Sequence, residues 1–404
     1  MEEVCPLHIL EYTSLKICSM RTTLSFTLNR SRMSLREKSW HVSWSLVVLI
    51  GGLGAIGVVT LISAADGNLE PWAARQAVRL VVSLGIMLGV AMVDIRLWMR
   101  YAYVFYAISF VLLVMVEMHG SIGMGAQRWI DFGIIQIQPS EMMKVALVVT
   151  LARYFHGSSL EDVARPSYLL FPVIVALLPV GLVLKQPDLG TALMLLMSSG
   201  VLFFLAGVRL WKFAVVLIAG VVTVPVAWQF LHDYQRKRVL TFLDPEADPL
   251  GAGYHILQSK IALGSGGMFG KGFGKGTQSH LNFLPEKQTD FIFTMWAEEH
   301  GLVGSITLIL LYTIIVAFGY AIALRSRNQF GRLLGLGVTT TFFLYVFINT
   351  AMVMGLIPVV GVPLPLISYG GTAMLTVMFS FGLLFSIDIH RDVQIGRRGF
   401  YETL

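Results

Sequence analysis

The chain has 404 residues, 55% of them hydrophobic and 13% charged, with a mean hydropathy of +0.72. Soluble domains carry about a quarter charged residues, and disorder requires low hydrophobicity with high net charge, so both classes are excluded. Thirty Lys and Arg against 24 Asp and Glu leave a charge of +6; in a membrane protein cations are placed by topology, so this surplus is no sign of a nucleic-acid partner. Cys5 and Cys18 both precede the first apolar run, which leaves neither a disulfide framework nor a cysteine metal site.

Residues 1–42 read as a polar tail with Lys16, Arg21, Arg30, Arg32, Arg36 and Lys38 and no cleavable signal; Met33, followed by SLREKSW, has the form of a start of its own. A spanning helix needs roughly 20 apolar residues. Runs near that size occur at 43–64, 77–94, 97–117, 138–155, 167–184, 189–207, 213–231, 293–323, 333–354 and 368–388, which predicts ten helices. The fourth is weak, because it opens on Gln138-Pro139-Ser140-Glu141 and contains Lys144. Basic residues fall in every second connection: Arg96 and Arg100, Arg153 and Arg165, Arg209 and Lys212, then Arg325, Arg327 and Arg332, and finally Arg391, Arg397 and Arg398. The positive-inside rule then predicts both tails (1–42 and 389–404) in the cytoplasm and the long 232–292 segment outside. The expected architecture is an all-α integral membrane protein: a polytopic ten-helix domain over 43–388 with one long external loop.

Polar residues at bilayer depth cost about 2.5–3.5 kcal/mol each on insertion scales, so their positions are informative. Arg128-Trp129-Ile130-Asp131, Gln138-Pro139-Ser140-Glu141 with Lys144, and Gln186-Pro187-Asp188 all fall on the predicted outer side. Glu141 and Lys144 are three apart on one helical face and can pair, either as a structural tie or as a substrate-lining couple. The stretch GSGGMFGKGFGKG at 264–276 holds Lys271 and Lys275. Such glycines let backbone N–H groups approach an anion, yet neither a Walker pattern nor GxGxxG is in register, so a phosphate contact and a plain surface loop both remain open. Asp290 precedes Phe-Ile-Phe at the predicted membrane boundary, where partial desolvation suits a carboxylate to proton abstraction; capping of the following helix is the structural alternative. His280, Glu286, Glu298, Glu299 and His300 match no zinc spacing, and Glu298 and Glu299 lie too far along a continuous helix to act beside Asp290.

These residues sit in longer pieces: RWIDFGIIQIQPSEMMK at 128–144, QPDLGTA at 186–192, DPLGAGYH at 248–255, QSKIALGSGGMFGKGFGKGTQSHLNFLPEKQTDFIF at 258–293 and GLIPVVGVPLPLISYGGT at 355–372. In them the sequence resembles the SEDS family (shape, elongation, division and sporulation proteins), with FLPEKQTDFIF similar to the elongation branch. The resemblance implies a ten-helix, inverting peptidoglycan glycosyltransferase that polymerises lipid II, a disaccharide-pentapeptide on undecaprenyl diphosphate, at the outer face of the bacterial cytoplasmic (inner) membrane. It implies a class B penicillin-binding protein transpeptidase and other elongation-complex proteins as partners within the lipid bilayer, and no nucleic acid. It maps the family's catalytic aspartate onto Asp290 and makes Arg128, Trp129, Glu141, Lys144, Asp188, Lys271, Lys275, His280 and Glu286 the substrate-binding candidates. No protein metal site is implied, although a divalent cation, Mg2+ or Mn2+, can screen a diphosphate leaving group. A lipid II flippase and a non-catalytic scaffold are the alternatives. A flippase needs its polar groups at mid-depth, and a scaffold has no use for Asp290.

Overall fold

The computed structural model describes residues 34–123, 126–131, 133, 136–230, 236, 240–244, 252–280 and 286–396. Cys5, Cys18, Met33, Lys237, Arg238, residues 245–251 and 397–404, and the side chain of His280, lie outside the described residues. All ten apolar runs are helices. After a short α1 (Leu35–Trp40) come α2 (Trp44–Ala64), α3 (Ala73–Met92), α4 (Ile95–His119) and α5 (Pro139–His156). A turn of helix α6 (Leu160–Ala164) leads to α7 (Pro166–Lys185), α8 (Leu189–Leu205) and α9 (Leu210–Phe230). The 232–292 segment contributes α10 (Ala252–Ser265) and α11 (Thr277–His280), and α12 (Ile292–Arg325), α13 (Gln329–Val353) and α14 (Gly371–Ile389) complete the bundle. Seven of them, α2, α3, α4, α7, α12, α13 and α14, are long and apolar enough to cross a membrane.

Helix α5, the run with the weakest hydropathy, is the centre of the bundle. It packs against α4, α7, α8, α13 and α14, and nearly all of its 18 residues are buried. A helix walled by protein does not need a lipid-compatible surface, so it tolerates Glu141 and Lys144 where a peripheral helix would not. Its closest approach is made at Gly337 of α13, where a Cβ would stand 2.7 Å from Val148 Cγ1 and 3.0 Å from Leu202 Cδ2. A side chain there would wedge α5, α8 and α13 apart. Proline at the first turn of α5 takes the position where its missing N–H costs nothing.

Helix α14 packs along α3, so the last span lies against the second. Gln76 Nε2 of α3 donates to Ser368 O at 3.0 Å and the Arg79 guanidinium lies 4.8 Å from the Tyr369 ring, both just ahead of α14. At the other end Ser386 Oγ donates to Val93 O at 2.7 Å.

Three features depart from the sequence reading. The connection between α4 and α5, expected to be a loop, forms a three-stranded antiparallel sheet of β1 (Ser121–Gly123), β2 (Ala126–Asp131) and β3 (Gln136–Ile137), with Ser121 opposite Trp129 and Ile130 opposite Ile137. The run at 293–323 is not one continuous helix, because Gly301 interrupts α12 with φ 66° and ψ −161°; the piece before the break is almost wholly buried in protein, and the longer piece after it is buried on one side only. Residues 390–396 do not leave the bundle as a tail: Arg327 N donates to Arg391 O at 2.9 Å, Asn328 Nδ2 to Val393 O at 3.2 Å, and His156 Nε2 lies 3.2 Å from Gly396 O.

Candidate functional site

The segment leading into α12 closes on itself first. Glu286 carries φ 55°, and its carbonyl accepts from Thr289 N at 3.0 Å and Thr289 Oγ1 at 3.3 Å, while its carboxylate accepts from Thr289 Oγ1 at 3.0 Å. Three consecutive carbonyls, those of Gln288, Thr289 and Asp290, are then held from outside. Tyr369 N donates to Gln288 O at 2.8 Å, Ser368 Oγ to Thr289 O at 2.7 Å, and Asn349 Nδ2 to Asp290 O at 2.9 Å. The second Asn349 N–H donates to Val362 O at 2.7 Å. Asp290 is thereby pinned between α13 and the 355–370 loop, with its carboxylate against Gly361, where a Cβ would stand 3.5 Å from Asp290 Oδ2. Helix α12 starts at Ile292 with Phe291 in the cap position, so Asp290 stands one residue ahead of the cap.

Four residues before Asn349, on the same face of α13, stands Tyr345. Its hydroxyl donates to Glu141 Oε2 at 2.6 Å, and Lys144 Nζ reaches Glu141 Oε1 at 2.7 Å while lying 4.4 Å from the Tyr345 ring centroid. The predicted Glu141–Lys144 pair is therefore formed, with an aromatic third member. A small cavity of about 20 Å³ opens beside it, lined by Lys144, Thr341, Tyr345, Thr376 and Ser380; that is room for about one water. At the rim, Asp188 caps α8 by accepting from Thr191 N at 3.1 Å and Thr191 Oγ1 at 2.9 Å, and Gln138 Nε2 approaches it to 3.4 Å. Arg128 Nη1 lies 4.0 Å from Asp188 Oδ2, while its Nε donates to Gln186 O at 3.2 Å and its Nη2 to Pro187 O. Glu141, Lys144 and Asp188 are closed in at 4%, 3% and 4% exposure. Glu141 and Lys144 pair with each other inside the bundle, while Asp188 is held by Thr191, Gln138 and Arg128.

On the sheet beside this rim, Trp129 of β2 is half-buried and Asp131 is exposed. The Gly133 N–H, 2.7 Å from Asp131 Oδ1, and then Gln136 Nε2, 3.2 Å from Oδ2, hold the Asp131 carboxyl below the usual aspartate range.

The glycine-dense stretch works otherwise than a phosphate cradle does. Its N–H groups are spent on protein: Lys271 N donates to Glu298 O and Gly272 N to Glu299 O, each at 3.0 Å. In return Leu302 N donates to Gly267 O at 2.9 Å and Val303 N to Met268 O at 3.1 Å, so the stretch repairs the hydrogen bonds that Gly301 breaks. Gly270, at φ 82°, stands where a Cβ would strike the Glu299 carbonyl. Lys271 Nζ binds buried Glu298 Oε1 at 2.7 Å and Thr277 Oγ1 at 2.7 Å, and Ser63 Oγ and Gly274 N donate to buried Glu299. Glu298 and Glu299 thus hold the glycine-dense stretch and α2 to the start of α12. Lys275 is exposed, and His280 ends α11 with its side chain outside the described residues.

The sequence reading missed Tyr345, Asn349, Gln76 and Ser368. The signal for Asn349 was present: a lone amide inside LYVFINTAMV at bilayer depth needs a partner.

Known proteins bear on this arrangement directly. Residues 40–393 match the model of the cell cycle protein family FtsW/RodA/SpoVE. The chain is 44% identical over 358 residues to the peptidoglycan glycosyltransferase MrdB of Escherichia coli strain K12, covering 87% of this chain and 95% of that protein. It is 37% identical over 354 residues to a probable peptidoglycan glycosyltransferase FtsW of Trichlorobacter lovleyi, covering 85% and 92%. Among solved structures, a chain from a peptidoglycan synthase complex that coordinates polymerization and crosslinking superposes with TM-score 0.76 at 33% identity, over 87% of this chain and 98% of its own length. The rod shape determining protein RodA of Thermus thermophilus superposes with TM-score 0.66 at 29% identity, over 87% and 97%.

Proposed function

The chain belongs to the FtsW/RodA/SpoVE family, and on that premise we propose that it is a peptidoglycan glycosyltransferase that polymerises lipid II, with Asp290 as its general base. The carboxylate takes the proton from the 4-hydroxyl of the acceptor sugar as that oxygen attacks the anomeric carbon of the donor. The donor's bond to undecaprenyl diphosphate breaks in the same displacement, so an α-linked donor yields a β-1,4 glycan. The observation that carries this reading is the triple grip on Gln288, Thr289 and Asp290. Two helix-loop elements spend three hydrogen bonds on one short turn, which is how a reacting group is held within the tolerance that catalysis demands.

Around it, Trp129, Lys275, Glu286 and His280 are the candidates for direct substrate contact. Arg128, Glu141, Lys144, Asp188 and Lys271 are committed to protein partners and support the site from behind. Among the described residues no group of three His, Cys, Asp or Glu side chains could hold a metal ion, so the proposal places any Mg2+ or Mn2+ on the substrate's own diphosphate. In this reading both termini lie in the cytoplasm and the Asp290 side at the outer face of the inner membrane, which the alternation of basic connections supports. There a class B penicillin-binding protein transpeptidase and other elongation-complex proteins would receive the strand.

The test is polymerisation of lipid II by the purified chain and its Asp290→Asn variant, each with a transpeptidase partner. Loss of a general base should cost roughly 10²–10⁴-fold in rate, with abundance and partner binding near normal. Wild-type turnover by folded Asp290→Asn protein would overturn the assignment.

A further inference from the structure

At the end of the bundle opposite Asp290, the first turn of chain before α2 meets the last residues of α12 and α14 around a cavity of about 170 Å³. Its walls are polar: Trp40, His41 and Ser43 on one side, Arg325, Asp388 and Arg391 on the other. One ordered water needs about 10–15 Å³ on this scale, so the cavity holds roughly ten times that. Its charges are of both signs and are arranged unequally. Asp388 is buried, at 8% exposure, and is oriented by Ser43 Oγ, which donates to its Oδ2 at 2.6 Å. Arg325 and Arg391 stand at the mouth, both exposed. Arg391 shares Asp392 with Arg327, at 3.7 and 3.3 Å, while among the described residues Arg325 has no carboxylate within ion-pair distance.

The level of the cavity identifies where an occupant comes from. Trp40 and Leu35 of α1 are 80% and 72% exposed, and Trp44 opens α2 with half its surface uncovered. Two tryptophans at the mouth of the first span mark the headgroup layer, where aromatic rings sit with one side in hydrocarbon and one in water. The cavity therefore opens at the depth of lipid phosphates, on the side carrying the basic connections.

We propose that this cavity is a binding site for the headgroup of an inner-leaflet aminophospholipid: the phosphate is held by Arg325 and Arg391 at the mouth, and the ammonium by Asp388 beneath them. Arginine forks suit phosphate oxygens, and a buried carboxylate accepts N–H donors from a cation more strongly than from a neutral group. A purely anionic headgroup would leave Asp388 facing a negative ligand, and a trimethylated headgroup offers it no N–H donor. Phosphoethanolamine satisfies both ends. The bound lipid would tie α1 and the two helix ends together from the membrane side.

The test uses the full chain, purified in detergent and stripped of lipid, with binding read by native mass spectrometry and by thermal shift. The probes are phosphatidylethanolamine, phosphatidylglycerol and phosphatidylcholine of equal chain length, with soluble phosphoethanolamine and inorganic phosphate as non-lipid arms. One tightly retained phosphatidylethanolamine per chain is expected, with a raised Tm and weaker retention of the other two. An Arg325→Gln/Arg391→Gln variant should bind it at least about tenfold more weakly, the scale of one or more lost charge-assisted hydrogen bonds. Asp388→Asn should abolish the preference for the amine lipid over phosphatidylglycerol. Ser43→Ala removes the Ser43–Asp388 bond but keeps the acid, so it should retain the preference and separates loss of the ligand contact from loss of local structure. Equal retention of all three lipids, unchanged binding by the double arginine variant, or saturation of the same thermal shift by inorganic phosphate would each overturn the proposal. None of these readouts depends on polymerase activity.

Discussion

Replacing Asn349 by leucine keeps the branched skeleton of a buried side chain, with methyls bulkier than the amide, and removes both donors that join Asp290 to Val362. The Val362 carbonyl lies at a fully buried contact, and leaving it without a donor costs about 1–3 kcal/mol of stability. The Asp290 carbonyl is only partly buried, so it can recover a hydrogen bond by turning toward water. That turn moves the carboxylate. A displacement of about 1 Å at a reacting group is worth about 10²-fold in rate, or about 2.7 kcal/mol at 1.36 kcal/mol per tenfold. The variant should thus lose about a hundredfold in kcat for glycan-strand formation from lipid II with KM changed far less, because the substrate's remote contacts are untouched. Its Tm should fall modestly. A rise in KM at constant kcat, or a loss of activity that tracks Tm and vanishes on cooling, would show that Asn349 only stabilises the fold.

Lys144→Met leaves the Glu141 carboxylate buried without its cation and should cost about 3–5 kcal/mol, whereas Glu141→Gln combined with Lys144→Met should be milder than the sum; additive losses in Tm would show that the pair is not coupled. Gly270→Ala places a methyl against the Glu299 carbonyl at φ 82°, and left-handed strain alone is about 1–3 kcal/mol, so folded yield should drop sharply, while the same change at exposed Gly264, where no atom lies within 4 Å, should be well tolerated. Because the Gly133 N–H and Gln136 hold the Asp131 carboxyl below the ordinary aspartate range, the order that Asp131 lends to the sheet is present above that range and lost as pH falls through its folded value; the protection of the Gly133 amide against hydrogen exchange, relative to its intrinsic rate at each pH, should fall on acidification, and Asp131→Asn should remove that pH dependence.

The helices were readable because each apolar run meets the length that a bilayer imposes, and even α5 was found despite its charges. Its burial was not readable, since hydropathy reports what a helix can face and not what it does face. The sheet at 121–137 escaped because short strands among glycines look like any polar connection. The glycine-dense stretch was ambiguous for a physical reason: glycines that admit a phosphate and glycines that admit another backbone leave the same pattern, and only the break at Gly301 tells which is meant. Asp290 was located from its boundary position. The grip on its turn was not, because Asn349 reaches the Asp290 carbonyl across 59 positions of sequence and Ser368 the Thr289 carbonyl across 79.

The pairing of α3 with α14 has a consequence for how the protein is made. Arg79 and Gln76 enter the membrane early, yet Ser368, Tyr369 and the helix they rest against are translated some 290 residues later. At about 5–20 residues per second, that interval lasts roughly 15–60 s. Throughout it, α3 carries a buried-type amide and a guanidinium with no native neighbour, in a solvent that offers neither of them hydrogen bonds. Nascent chains halted before residue 371 should therefore hold α3 beside the insertion machinery or the headgroup layer, and crosslinks from position 76 should shift to α14 only once the last span has been released.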